Sequence, residues 1–158
     1  MWRSAPLSLF FSVVALIACG QPPVPSHLAG LTRTRVVSGL RASRLVRRMH
    51  GKAVAPADTT VAVYGRRGQL TVWLSRYRDS FAARRALDAM LRGLRGDDTP
   101  LSRPSQDPNT PGRWTVVGGG RHHVFWVAER NLYWLEGEPA TVFRALDELP
   151  GPTAGMLL

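Results

Sequence analysis

Hydrophobic spacing divides the chain into alternating stretches of strand and helix. Ala42, Leu45, Val46 and Met49 recur at i, i+3, i+4 and i+7, while Arg41, Arg44, Arg47 and Arg48 point the other way. That pattern predicts an amphipathic helix starting near Ser38 and stopping near Gly51. Thr60–Tyr64 and Gln69–Ser75 are rich in strand formers and flank Gly65-Arg66-Arg67-Gly68, which predicts a hairpin. Asp79 or Ser80 can cap a second helix whose positions Ala83, Ala86, Leu87, Met90, Leu91 and Leu94 keep helical spacing. From 96 to 112 the prolines Pro100, Pro104, Pro108 and Pro111 interrupt any period, and a flexible loop is expected there. Strands follow at Trp114–Gly118, His122–Ala128 and Leu132–Glu136, then a helix opening at Pro139, where proline is well placed. Residues 150–158 read as a loose tail.

An internal echo organises these elements. Trp73-Leu74 followed by Ala86-Leu87-Asp88 matches Trp134-Leu135 followed by Ala145-Leu146-Asp147, each time after a hairpin. Two strand–strand–helix units are therefore expected, at about 60–91 and 122–149. Together they imply an α+β fold, two-layer, with a mostly antiparallel sheet. With four residues in the first turn, strand alternation puts Val61, Val63, Leu70, Val72 and Leu74 on one face, aliphatic and facing both repeat helices. Tyr64 and Trp73 share the other face, and the echo adds Phe125 and Trp134 to it. This aromatic face is either covered by the Arg41–Arg48 helix or open as a groove for an apolar ligand, a glycan or a partner protein.

The first residues have a different logic. Arg3 precedes an apolar run from Leu7 to Ala18, too short for a comfortable membrane span, and small residues follow, as in a secretory signal peptide. Leu16-Ile17-Ala18-Cys19 resembles the lipobox of bacterial lipoproteins. The resemblance covers this segment alone. It implies cleavage before Cys19, lipid on the Cys19 sulfur and usually an acyl chain on the new amino group, an anchor of more than one chain that holds firmly. Gly20, where aspartate would signal inner-membrane retention in enteric Gram-negative bacteria, favours the outer membrane, facing the periplasm, in such a host. The domain plan is a signal peptide at 1–18, a lipidated cysteine with a proline-rich tether at 19–30, and a single domain at 31–149. Cys19 is the sole cysteine, so no disulfide supports the fold.

Charge then narrows the function classes. The chain carries a formal net charge of +10, and Lys52 is its one lysine. Between Gly20 and Ala57 every charged residue is basic. Export argues against nucleic acid, so Arg41, Arg44, Arg47 and Arg48 form a candidate face for anionic envelope components, guanidinium forks being well matched to phosphate. His50, His122 and His123 lack a ligand spacing, and the adjacent pair in a strand points to opposite faces, so no metal and no cofactor is expected. Val37-Ser38-Gly39 is no nucleophile elbow, and Gly118-Gly119-Gly120 runs into a strand where a phosphate loop needs a helix. Glu136 and Glu138 are explained by the helix end they precede. No catalytic residue emerges. The reading is a non-catalytic, lipid-anchored envelope domain that binds a partner protein or envelope component, with a small-ligand binder and an envelope hydrolase as alternatives.

Overall fold

A computed structural model describes residues 24–50, 56–96 and 99–153, the side chains of 47–50 excepted. The signal peptide, Cys19 and the side chains of Arg47, Arg48 and Met49 lie outside the described residues. The fold is α+β. One eight-stranded sheet has the order β1-β2-β3-β4-β8-β7-β6-β5, and every pairing is antiparallel. The strands are β1 (His27–Leu28), β2 (Leu31–Ser38), β3 (Asp58–Tyr64), β4 (Leu70–Arg76), β5 (Ser105–Gln106), β6 (Trp114–Gly118), β7 (Arg121–Ala128) and β8 (Asn131–Gly137). The helices are α1 (Gly39–His50), α2 (Ser80–Leu94) and α3 (Pro139–Glu148).

The two echoing units are β3–β4–α2 and β7–β8–α3, and they meet at the β4–β8 seam, where Trp73 lies directly opposite Trp134. Asp79 caps α2, its carboxylate accepting from the Ala82 amide at 2.7 Å. Those amide bonds, with Arg78 beside them, hold its carboxyl below the usual range.

One face of the sheet carries Ala62, Tyr64, Leu70, Val72, Leu74, Val124, Trp126, Tyr133 and Leu135, and α3 covers it with Val142, Ala145 and Leu146. The opposite face carries Phe125, Val127, Leu132 and Trp134 beneath Ala83, Ala86, Leu87, Met90 and Leu91 of α2. The repeat helices thus fall on opposite faces, not both on the aliphatic one. Each sheet face is apolar enough to need a cover, and dividing the helices meets both demands.

Register corrects the expected sorting of β3. Gln69 belongs to the turn, so Tyr64 pairs with Leu70 and Val61 with Trp73. One extra turn residue shifts the pairing by one, and a one-residue shift exchanges faces for a whole strand. Val61 and Val63 therefore accompany Trp73, and Tyr64 joins Leu70, Val72 and Leu74.

Three segments expected to be loose are part of the fold. Val24, Leu28 and Ala29, at the end of the supposed tether, are buried in the core. The Tyr64 hydroxyl donates to the Pro25 carbonyl at 2.8 Å, and the Ala29 amide donates to Glu148 Oε1 at 2.9 Å. Burial pushes the Tyr64 hydroxyl up to about 12, against the opposing pull of Arg33. In the proline-rich stretch, β5 pairs with β6, Ser102 N donates to Val117 O at 2.7 Å, and Leu101 packs against the α2 core. At the C-terminal end, Trp126 Nε1 donates to Pro150 O at 2.7 Å and Thr153 N to Val127 O at 3.0 Å. In α1, Ala42, Ser43 and Val46 are buried while Leu45 is 38% exposed, so the buried stripe is rotated from the expected one.

Candidate functional site

Trp73, Trp134, Phe125 and Trp114 form a row across one face of the sheet. Successive strand partners Val37, Val61, Trp73, Trp134, Phe125 and Trp114 stand opposite one another from β2 to β6. Trp73 and Trp134 stack with centroids 5.2 Å apart, and Phe125 lies 5.5 Å from Trp134. Of the four candidate residues the structure brings together Trp73, Phe125 and Trp134, whereas Tyr64 is buried on the other face. Trp114 completes the row, packed against the same core with the Arg95 guanidinium 5.9 Å from its ring. The helix over Phe125 and Trp134 is α2, so this part of the face is core.

His123 belongs to that core and is 7% exposed. Its Nδ1 accepts from Trp134 Nε1 at 3.2 Å, which fixes a neutral ring with the proton on Nε2. Burial lowers its pKa, the nearby Glu136 carboxylate opposing that shift in part. His122 points to the other face, where its ring meets Phe143 at 5.7 Å. Among the described residues no three potential ligands gather in a metal site. Arg41 and Arg44 are exposed on α1, consistent with a solvent-facing basic surface.

An open concavity lies elsewhere, at the end of the sheet where the β3–β4 turn meets the starts of β2, β7 and α3. It encloses about 780 Å³, within the ~300–1,000 Å³ usual for ligand sites. Arg66, Arg67, Arg121 and Glu138 supply its charges. The turn is shaped by Gly65 and Gly68, whose φ values of +76° and +66° suit glycine, and Gly65 N donates to Thr32 O at 3.0 Å. Arg121 braces it: its guanidinium donates to Gly68 O at 3.2 Å and Glu136 O at 3.3 Å, and pairs with the Glu136 carboxylate at 2.9 Å. Arg66 and Arg67 are exposed and have no hydrogen-bond or ion-pair partner among the described residues. Glu138, the N-cap residue of α3, makes no side-chain capping bond. The cleft was hidden in the sequence because Gly65-Arg66-Arg67-Gly68 reads first as a turn, and nothing local reveals that Arg121 and Glu138 converge on it. The unusual pairing of two arginines between two glycines was the available signal.

Compared with protein-family models, curated proteins and solved structures, the chain matches none.

Proposed function

We propose that the chain is an exported lipoprotein, lipidated at Cys19, whose folded domain binds an anionic component of the cell envelope without catalysing a reaction. The anchor rests on the Leu16-Ile17-Ala18-Cys19 spacing. The observation that carries the binding role is the cleft lined by Arg66 and Arg67, which have no partner among the described residues. Two consecutive arginines lining one cleft, with no partner among the described residues, leave their guanidinium forks available to an anion. A lipid anchor would hold the cleft at high effective concentration over the envelope surface.

The chain from Gly20, without lipid, keeps every described member of both hydrophobic clusters and is the form used for the binding experiment. Its co-sedimentation with bacterial envelope membranes should be strong at low salt and fade as the screening length shortens toward about 8 Å at physiological strength. Arg66→Glu/Arg67→Glu should lower the sedimented fraction at least five-fold. Equal sedimentation of wild type and the double variant, both folded by circular dichroism, would refute the reading.

A further inference from the structure

Three charges without partners among the described residues line one cleft, and they are not all of one sign. Arg66 and Arg67 stand on the hairpin wall, and Glu138 stands on the wall made by the start of α3. Arg121, the fourth charge, is already neutralised by Glu136 at 2.9 Å and tied to the turn carbonyl of Gly68. A simple anion would satisfy the arginines and leave the Glu138 carboxylate facing it at a cost. A ligand bearing both a phosphate and an ammonium offers a partner to all three groups. Phosphate suits the paired guanidiniums better than a carboxylate does, because its oxygens can accept from two forks at once.

The position of the cleft points in the same direction. Gly30, Leu31 and Thr32 form one rim, and the neighbouring Val24 carbonyl accepts from Arg33 at 2.6 Å. Val24 is the first described residue and Cys19 stands five positions before it, so a lipid on Cys19 is joined to Val24 by five residues of chain. Fully extended, that span reaches at most about 18 Å, from ~3.3–3.6 Å per residue. The Val24 end of the domain, and the cleft rim close to it, is therefore held within reach of lipid headgroups.

Resting on the anion-binding reading above, we infer that this cleft recognises the phosphoethanolamine group, with Arg66 and Arg67 on the phosphate and Glu138 on the ammonium. The group occurs as a phospholipid headgroup and as a free or glycan-linked substituent, and the recognition chemistry is the same for each.

The test uses the chain from Gly20 titrated by NMR with O-phosphoethanolamine, inorganic phosphate, ethanolamine and β-alanine. O-phosphoethanolamine should bind at least ten-fold more tightly than any of the other three, with shifts centred on residues 65–69 and 138. Glu138→Gln should abolish that preference and keep phosphate binding, while Arg66→Ala/Arg67→Ala should lose both. Vesicles of phosphatidylcholine with and without phosphatidylethanolamine identify the source: sedimentation that requires phosphatidylethanolamine supports the lipid headgroup. Binding of the free compound alone supports the recognition chemistry and overturns a membrane source. Equal affinity for phosphate and O-phosphoethanolamine, preferential β-alanine binding, or an unchanged preference in Glu138→Gln would overturn the inference. Arginine-dependent sedimentation with envelope membranes would survive that result, so the two readings fail separately.

Discussion

Trp134→Ala asks whether the aromatic row is the seam that joins the two halves of the sheet. Trp134 stacks on Trp73 at 5.2 Å, lies 5.5 Å from Phe125 and donates to His123 Nδ1 at 3.2 Å. Truncating a core aromatic costs about 3–5 kcal/mol, ring contacts included, and the partial burial of Trp134 places it near the lower end, about 3 kcal/mol. His123 then keeps a buried acceptor with no donor, which adds about 1 kcal/mol. The sum, about 4 kcal/mol, is a large share of the ~5–15 kcal/mol typical of a whole domain. At roughly 3–4 °C per kcal/mol for a domain of this size, the Tm should fall by about 12–16 °C. Trp134→Phe keeps a ring on Trp73 and gives up the hydrogen bond, so a loss of about 1–2 kcal/mol is expected. Phe81→Ala, at a side chain 64% exposed, supplies the control and should cost under about 0.5 kcal/mol. Urea unfolding followed by far-UV circular dichroism measures all three. If Trp134→Ala costs no more than Phe81→Ala, the row is not a structural seam.

Other outcomes follow from single positions. The folded-state pKa of His123 lies below its unfolded value, so the unfolded chain binds the extra proton and stability should drop as pH falls through about 6.5 toward the lower folded pKa. His123→Gln, which keeps an acceptor for Trp134 and cannot titrate, should flatten the decline of the urea midpoint between pH 8 and pH 5; parallel declines would rule this out. A Cβ on Gly137 would sit 2.6 Å from the Gln69 carbonyl oxygen and 3.3 Å from Leu70 Cα, so Gly137→Ala should cost about 1–3 kcal/mol in the same unfolding assay. Cys19→Ala should abolish incorporation of labelled fatty acid and leave an uncut or mislocalised precursor, and a mature, membrane-bound variant of normal mobility would sink the lipoprotein assignment.

The long elements were legible because their periodicity is strong. Leu70, Val72 and Leu74 alternate cleanly, and Ala83 to Leu91 keep a helical stripe. Register was harder to read. Whether Gln69 closes the turn or opens the strand decides which face Tyr64 occupies, and composition says nothing about that single residue. Strand β2 escaped notice because its Thr-Arg-Thr-Arg run looks like solvated chain. Its threonines are strand formers, though, and Arg33 folds back onto the Val24 and Pro25 carbonyls at 2.6 and 3.4 Å. The histidines invite a metal reading by residue type alone, whereas the structure makes His123 a hydrogen-bond acceptor inside the core. That role depends on Trp134 lying across the strand, a tertiary fact. The aromatic row was foreseen in three of its members, and its cover, α2, was not.

The bond from the Ala29 amide to Glu148 spans almost the whole fold and orders events in time. Local hairpins such as β3–β4 and β7–β8 can close quickly, since their partners are near in sequence. The β4–β8 seam must wait for both, because it joins residues 70–76 to 131–137 and carries the larger loop-closure cost. The segment around Val24 and Ala29 cannot finish docking until α3, the last helix among the described residues, is in place. In a chain delivered from its N-terminus, Val24 to Ala29 would therefore be the first described residues to appear and among the last to dock.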